Sequence, residues 1–359
     1  MNLKYRDIRE IIRKVKKRAR LKLADEIHIK HVDEIAIIPV LKCNLNCVMC
    51  HQGEIKCTPN MSFEDFKKIL LNLKKSGVTK ISLVGGEIFV HPQIWGFIDL
   101  MEEMKFKYDL SSNLFNVQGI ENFKRLNGLE MVTTSLDGNE EIHNKIRRNP
   151  KAFQNTVMNI KKLIKDDIWV DVACVIQKAN FGRLEEFLEI ICKLGVKSVT
   201  YLIENTLTEK DKRSAKEQLK EIVGEDSEIY VSSIKNPLGN LGENEYKLFK
   251  NKINNLRKIS RKYNINLNLP VQLIHPEVLF KKTSLKDYTC SLFKGYNGLV
   301  YSDGYFNSCG FVRFHGDHSL LKKTPLQILN SKPYLKKRVF FKQKGALEKC
   351  RMCCALAKK

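Results

Sequence analysis

Nowhere does the chain hold an uninterrupted apolar run approaching the ~18 residues that a membrane-crossing helix needs. Its opening segment, MNLKYRDIREIIRKVKKRARLKLADEI, lacks both the apolar core and the small-residue cleavage site of a secretory signal. The expected compartment is therefore the cytoplasm, where thiols stay reduced. Glycine (19) and proline (9) are too scarce for a fibrous or low-complexity chain. Acidic residues fall short of basic ones, 40 against 63, which leaves a formal net charge of +23. What is present is 43% hydrophobic residues over 359 positions, enough to exclude a disordered chain and to suggest about two domains. Eleven cysteines are also present, an odd number that cannot all pair. In a reducing compartment they read first as metal ligands.

The charge is densest between residues 4 and 22, where ten basic groups face Asp7 and Glu10. Ile8, Ile11, Ile12, Val15 and Ala19 recur at helical spacing, so residues 1–33 are expected to form a basic amphipathic helix. It would be either a docking surface for an anionic partner (nucleic acid, phospholipid head groups or an acidic peptide) or a solvated helix packed by a thin stripe. No RNA-binding aromatic signature or zinc-finger spacing accompanies it, so nucleic acid is not the first reading.

From residue 34 onward, short apolar or β-branched runs alternate with helix-period segments. Strands are expected at Glu34–Val40, Lys80–Val84, Lys107–Ser111, Leu129–Ser135, Trp169–Ile176 and Ser198–Ile203. Helices are expected near Phe63–Lys75, with Ser62 as N-cap, and at Gln93–Met104, Ala152–Lys165 and Leu184–Leu194. Repeated βα alternation implies an α/β fold with a parallel sheet. About six units fit between 34 and 205 where a closed barrel needs eight, so a partial (β/α)6 TIM-like barrel is expected. Residues 206–285 read as a helical connector with helices near 208–223 and 242–263. Residues 286–359 read as a small metal-organised domain, with a hairpin at Leu299–Phe306 that turns at Asp303-Gly304.

The cysteines sort into two sets. Cys43, Cys47 and Cys50, just after the first strand, can converge on one face of a loop. Three thiolates leave one iron of a four-iron cluster open to a small molecule. A zinc site would want a fourth ligand, which His51 or Cys57 could supply, and spacing alone does not exclude it. Cys290, Cys309, Cys350 and Cys353 can supply four ligands to one closed site, again with zinc as the competitor. Cys174 and Cys192 lie on apolar faces and read as core residues, while Cys354 is a spare beside Cys353.

The first set resembles the CxxxCxxC motif of the radical S-adenosylmethionine (radical SAM) superfamily. Further motifs follow in order: Gly85-Gly86-Glu87 resembles its GGE turn, and Ser111-Ser112-Asn113 resembles its Thr-Asn-Gly strand end, with Leu114 for Gly. Ser135-Leu136-Asp137-Gly138, then His143 and Arg147, resembles a stretch of its SPASM/Twitch members. The second cysteine set resembles the Twitch domain, which holds one auxiliary cluster. The resemblance implies that Cys43, Cys47 and Cys50 bind a [4Fe-4S] cluster whose open iron takes S-adenosylmethionine. It implies that Met49 lies by the adenine, that Gly85, Gly86 and Glu87 receive the methionine amino group, and that Ser112, Ser135 and Arg147 hold the carboxylate and ribose. It implies that Cys290, Cys309, Cys350 and Cys353 hold an auxiliary [4Fe-4S] cluster. Two departures stand out: Ile88 in place of the proline common after GGE, and Arg148 in place of the glycine common after the arginine.

The implied activity is that of an oxidoreductase that reductively cleaves S-adenosylmethionine and takes hydrogen from a substrate C–H bond. A reductant such as a flavodoxin or ferredoxin would feed it. With all four ligands supplied by the protein, the auxiliary cluster is expected to accept an electron, so that the net reaction is an oxidation. Only about 33 residues precede the first strand, where peptide-modifying members often carry a larger leader-binding domain. The expected substrate is therefore a small molecule or a carbohydrate, with a peptide second and an RNA-modifying or RNA-binding protein third.

Overall fold

Six strands, Glu34–Ile37 (β1), Lys80–Leu83 (β2), Lys107–Ser111 (β3), Leu129–Ser135 (β4), Val170–Ile176 (β5) and Ser198–Ile203 (β6), lie parallel and in chain order. Their register pairs Ile35 with Ile81, Leu83 with Leu110, and Ser135 with Ala173. The structure, a computed structural model, describes residues 27–50, 59–204, 206–224, 227–229, 232–233, 243–280, 283–294, 298–309, 312–314, 316–353 and 355–359. The basic segment 4–22, His51, Cys57, the turn-rich stretch 235–242 and Cys354 lie outside the described residues.

Crossover helices Phe63–Lys75 (α1), Ile94–Glu103 (α2), Glu140–Arg147 (α3), Ala152–Lys165 (α4) and Leu184–Lys193 (α5) join the strands. In α1 the Ser62 hydroxyl accepts from the Asp65 N–H at 3.1 Å and so caps the first turn. Phe66, Ile69, Leu70 and Leu73 then form one buried stripe, and the Phe66 ring stacks on Phe97 of α2 at 4.1 Å between centroids. Helix α3 was not expected. It is two turns long, and its cap, Asn139 accepting from Ile142 N–H at 3.1 Å, sits inside what reads as a polar turn.

The sheet extends past the six units on both sides. Asn266–Asn268 (β7) pairs parallel with β6, and Gly298–Val300 (β8) pairs parallel with β1. Phe306–Asn307 (β9) returns antiparallel on β8 and completes nine strands among the described residues. The expected hairpin is thus present, turning at Gly304 with φ +75° and Tyr305 N–H donating to Asp303 Oδ1 at 3.0 Å. Its role differs from that of an isolated metal staple, because it builds onto the barrel sheet. Val300, Phe306, Leu320, Ile328, Tyr334 and Phe341 share one hydrophobic core with β1–β6. The fold is an α/β partial barrel with a mostly parallel sheet.

The connector helices fall at Glu209–Val223 (α6) and Glu243–Lys262 (α7), close to expectation. Further on, Tyr288–Cys290 pairs antiparallel with Leu356–Lys358, and Lys332–Lys344 (α8) packs nearby. No helix among the described residues is long and apolar enough to cross a membrane. Because β1–β6 are parallel, their C-terminal ends share one edge of the sheet. The loops leaving that edge carry the motifs of interest.

Candidate functional site

The loop after β1 brings Cys43, Cys47 and Cys50 into one another's electric field. Cys47 is buried, while Cys43 and Cys50 are half-buried. The loop is held by Val48 N–H donating to the Ile146 carbonyl of α3 at 2.9 Å and by Cys50 N–H donating to the Cys47 carbonyl at 3.2 Å. Burial lifts the Cys43 thiol to about 11, with Glu87 and the other two thiols adding to the rise and the Leu45 N–H opposing it. Met49 is half-buried on the same loop.

Gly85 and Gly86, after β2, lie directly against the backbone that leads into this loop. A Cβ on Gly86 would stand 2.2 Å from the Lys42 carbonyl oxygen, and one on Gly85 would stand 2.5 Å from that of Val40. The close approach lets Gly86 N–H donate to Val40 O at 3.1 Å and Glu87 N–H to Lys42 O at 2.9 Å. Glycine is needed here for backbone-to-backbone contact within the protein, a requirement separate from any ligand. Glu87 is fully buried. Its carboxylate accepts from Phe89 N–H at 3.1 Å, Ser112 Oγ at 2.8 Å and Asn113 N–H at 2.7 Å. Burial raises its pKa despite those three bonds.

At the end of β3, the Ser112 hydroxyl donates to Glu87 and accepts from Leu114 N–H at 3.0 Å. It therefore ties two motif turns together here. Asn113, outside the expected ligand set, aims its side-chain amide at Cys43 Sγ at 3.7 Å and at Asn44 Oδ1 at 2.8 Å. Leu114 and Arg148, both standing where the family pattern has glycine, have left-handed backbones with φ +53° and +52°. That conformation explains the glycine preference. Ile88, in place of proline, opens a short 3₁₀ turn and is fully buried.

Ser135 ends β4 and is half-buried. Beyond it, the fully buried Asp137 accepts from Arg147 Nε at 2.7 Å through Oδ2, and from Val175 N–H at 3.3 Å through Oδ1. Arg147 reaches across with its other edge to Cys47 Sγ at 3.6 Å. Burial pushes the Asp137 carboxyl up, but the Arg147 charge outweighs it and holds it at about 2. His143 Nδ1 stands 3.5 Å from Asp137 Oδ2, yet it accepts from the Asp137 N–H at 3.2 Å. We therefore take the imidazole as a neutral acceptor, in keeping with a pKa lowered by burial. Sequence reasoning left two nearby residues unnamed. Asn180 donates to the Asp137 carbonyl at 2.9 Å, and Gln177 is buried at the end of β5 with no hydrogen bond to its Nε2 among the described residues. Their only sequence signal is position, just past the end of a parallel strand.

The second cysteine set also comes together. Cys290, Cys309 and Cys350 share one field, and burial lifts Cys290 to about 12, with the other two thiols adding to the rise. Cys353 joins Cys350 through a tight turn, Cys353 N–H to Cys350 O at 2.9 Å. Arg351 pins that turn by donating to Glu348 and to the Val278 and Thr283 carbonyls. Gln272 adds donations to the Arg351 and Cys353 carbonyls. Cys174 is fully buried in β5 and Cys192 is half-buried against the core, as expected of packing thiols.

Both donor sets suit an iron–sulfur cluster in kind: soft thiolate ligands, largely desolvated, each with a cation nearby. Among the described residues no three His, Cys, Asp or Glu side chains converge on a single metal ion. Ligands to separate irons of one cluster stand further apart than ligands to one ion.

Residues 37–191 match the model of the Radical SAM superfamily. The family uses a [4Fe-4S] cluster with S-adenosylmethionine, the cofactors expected from the sequence. The chain is 30% identical over 164 residues to the antilisterial bacteriocin subtilosin biosynthesis protein AlbA of Bacillus subtilis, covering 45% of this chain and 37% of that protein. It is 26% identical over 158 residues to the AdoMet-dependent heme synthase of Methanosarcina barkeri, covering 43% and 45%. The chain therefore spans less than half the length of these relatives. In fold it resembles Streptococcus suis SuiB, with a TM-score of 0.65 at 15% identity, covering 98% of this chain and 78% of that one. SuiB has also been solved with its precursor peptide SuiA.

Proposed function

We propose that this chain is a radical SAM oxidoreductase acting on a peptide. The observation that carries the catalytic part is the meeting of Cys43, Cys47 and Cys50 with the Gly85–Gly86 turn at the C-terminal edge of a parallel sheet. In this reading the three thiols hold a [4Fe-4S] cluster, and Cys290, Cys309, Cys350 and Cys353 hold an auxiliary one. When bound, the first cluster and S-adenosylmethionine would supply one-electron reductive cleavage of the sulfonium, with the electron coming from an external reductant such as a flavodoxin or ferredoxin.

The residues of this chain bind and orient. Met49 would flank the adenine, and the Gly85–Glu87 backbone would receive the methionine amino group. Arg147 is committed through Nε to Asp137, so its terminal nitrogens are the ones left for a bound carboxylate as well as for Cys47. Ser135 would assist at the ribose. Ser112 would have to turn its hydroxyl away from Glu87 to reach a ligand, so its part here is to hold Glu87 in place.

The peptide reading takes precedence over the small-molecule or carbohydrate substrate expected from the sequence. It is supported by likeness to a bacteriocin biosynthesis protein and to the fold of a protein solved with its precursor peptide. The likeness to a heme synthase keeps a small-molecule substrate as the second reading. The test is anaerobic incubation of the reconstituted chain with S-adenosylmethionine, dithionite and short peptides encoded beside its gene. Hydrogen loss from a peptide, seen by mass spectrometry and absent with Cys47→Ala, is the expected result. Turnover of a small molecule with no change in any peptide would overturn the substrate assignment.

A further inference from the structure

Among the described residues, Lys337 is the one lysine whose side chain is buried, at 2% exposure. It lies on α8 between Tyr334 and Phe341, which share its helix face and are also buried. That helix packs on the strand Tyr288–Cys290. Tyr334, one turn before Lys337, donates its hydroxyl to the Phe306 carbonyl or to Asn307 Oδ1, each at 3.2 Å. Asn307 in turn donates to the Cys309 carbonyl at 2.8 Å. The helix face that carries Lys337 is therefore fixed against both the strand of Cys290 and the turn of Cys309. Burial pushes the Lys337 pKa down and the nearby Lys349 charge adds to that, while Cys309, then Cys290 and Cys350, three members of the second thiol set, oppose it.

Burying an ammonium costs several kcal/mol unless an opposite charge is close. Four thiolates around a four-iron core carry net negative charge, and an added electron makes that charge larger. A fixed cation in a low-dielectric surround favours the more reduced form. We infer that Lys337 is the buried counter-charge of the C-terminal cluster, a positioning residue that raises its reduction potential and so suits it to accepting an electron. This rests on the reading of Cys290, Cys309, Cys350 and Cys353 as cluster ligands.

The test uses the full chain, anaerobically reconstituted, in a background of Cys43→Ala, Cys47→Ala and Cys50→Ala so that the C-terminal site alone is read. Iron content and the midpoint potential from an EPR-monitored titration are compared for Lys337, Lys337→Met and Lys337→Arg. The expected result is a midpoint shifted to more negative potential in Lys337→Met and kept near the parent value in Lys337→Arg, at equal iron. An unchanged midpoint in a fully loaded Lys337→Met protein would overturn the inference. If Lys337→Met fails to load, Lys337→Gln is added. Loss in Met and Gln with retention in Arg supports the counter-charge, whereas loss in all three makes the position steric and overturns it. A parent that loads zinc and no iron would overturn the cluster reading itself, a result separable from an unchanged midpoint.

Discussion

Arg147 joins two motifs at once: its Nε donates to Asp137 Oδ2 at 2.7 Å, and the same guanidinium reaches Cys47 Sγ at 3.6 Å. Asp137 and Arg147 are both buried, so neither charge has water to fall back on. The pair couples the end of β4 to the cysteine loop after β1.

Breaking that pair should be costly. Asp137→Asn leaves Arg147 charged and without its carboxylate, a change expected to cost about 3–5 kcal/mol. Urea unfolding of the apo chain at neutral pH measures it. The pH dependence has a defined sign. The Asp137 pKa is held near 2 in the folded chain, against about 3.9 in an unfolded one. Its stabilisation is thus complete above about pH 4 and lost as pH falls toward 2, by about 2–3 kcal/mol in total. In Asp137→Asn this part of the acid limb should be absent.

Gly86→Ala tests the close approach of the two loops. The added methyl meets the Lys42 and Leu41 carbonyls, 2.2 and 2.4 Å away, and both are backbone. The cysteine loop must then shift. Reconstituted wild type should hold roughly eight irons, from two four-iron clusters, and Gly86→Ala about four. Formation of 5′-deoxyadenosine should be lost with them. Full iron and undiminished cleavage in the variant would contradict the packing described.

Arg148 offers a gain. It caps α3 with φ +52° and is exposed, so its side chain contributes little packing. Arg148→Gly removes the left-handed penalty at some cost in unfolded-state entropy. A net stabilisation of about 0.5–1 kcal/mol is expected from these opposing effects. Thermal unfolding should shift upward by a degree or two. Leu114, with a similar backbone, is fully buried, and Leu114→Gly should instead destabilise by about 2–5 kcal/mol through the cavity it leaves.

Glu87→Gln asks whether the carboxylate is needed as a pure acceptor. Three donors converge on it, from Phe89, Ser112 and Asn113. An amide group would point an N–H at one of them. The expected loss is about 1–3 kcal/mol, read by chemical unfolding. A neutral result would mean that the turn can rearrange without its acceptor.

Much of this was legible from local pattern. The six strands and the helices α1, α2, α4 and α5 follow from apolar periodicity and from caps such as Ser62. The motif turns followed as well, because each sits just past a strand end. What local pattern missed was short or non-local. Helix α3 is two turns long, strand β7 has three residues and forms against the edge strand β6, and the hairpin strand β8 pairs onto β1 across more than 250 residues of chain. Lys337 defeats periodicity outright, since a lysine on an inward helix face reads as a break in the stripe.

The sequence by itself determined the alternation of strand and helix, the two sets of thiols, and the order of the motifs, because these depend on residue type and spacing. Only the tertiary structure decided the rest. It spent the Ser112 hydroxyl on Glu87, turned Arg147 toward both Asp137 and Cys47, and set Asn113 against Cys43. It also set the helix face of Lys337 against the strand of Cys290 and the turn of Cys309. The physical reason is that buried polar groups must find partners, and in a parallel sheet those partners lie one strand away in space but tens of residues away in the chain.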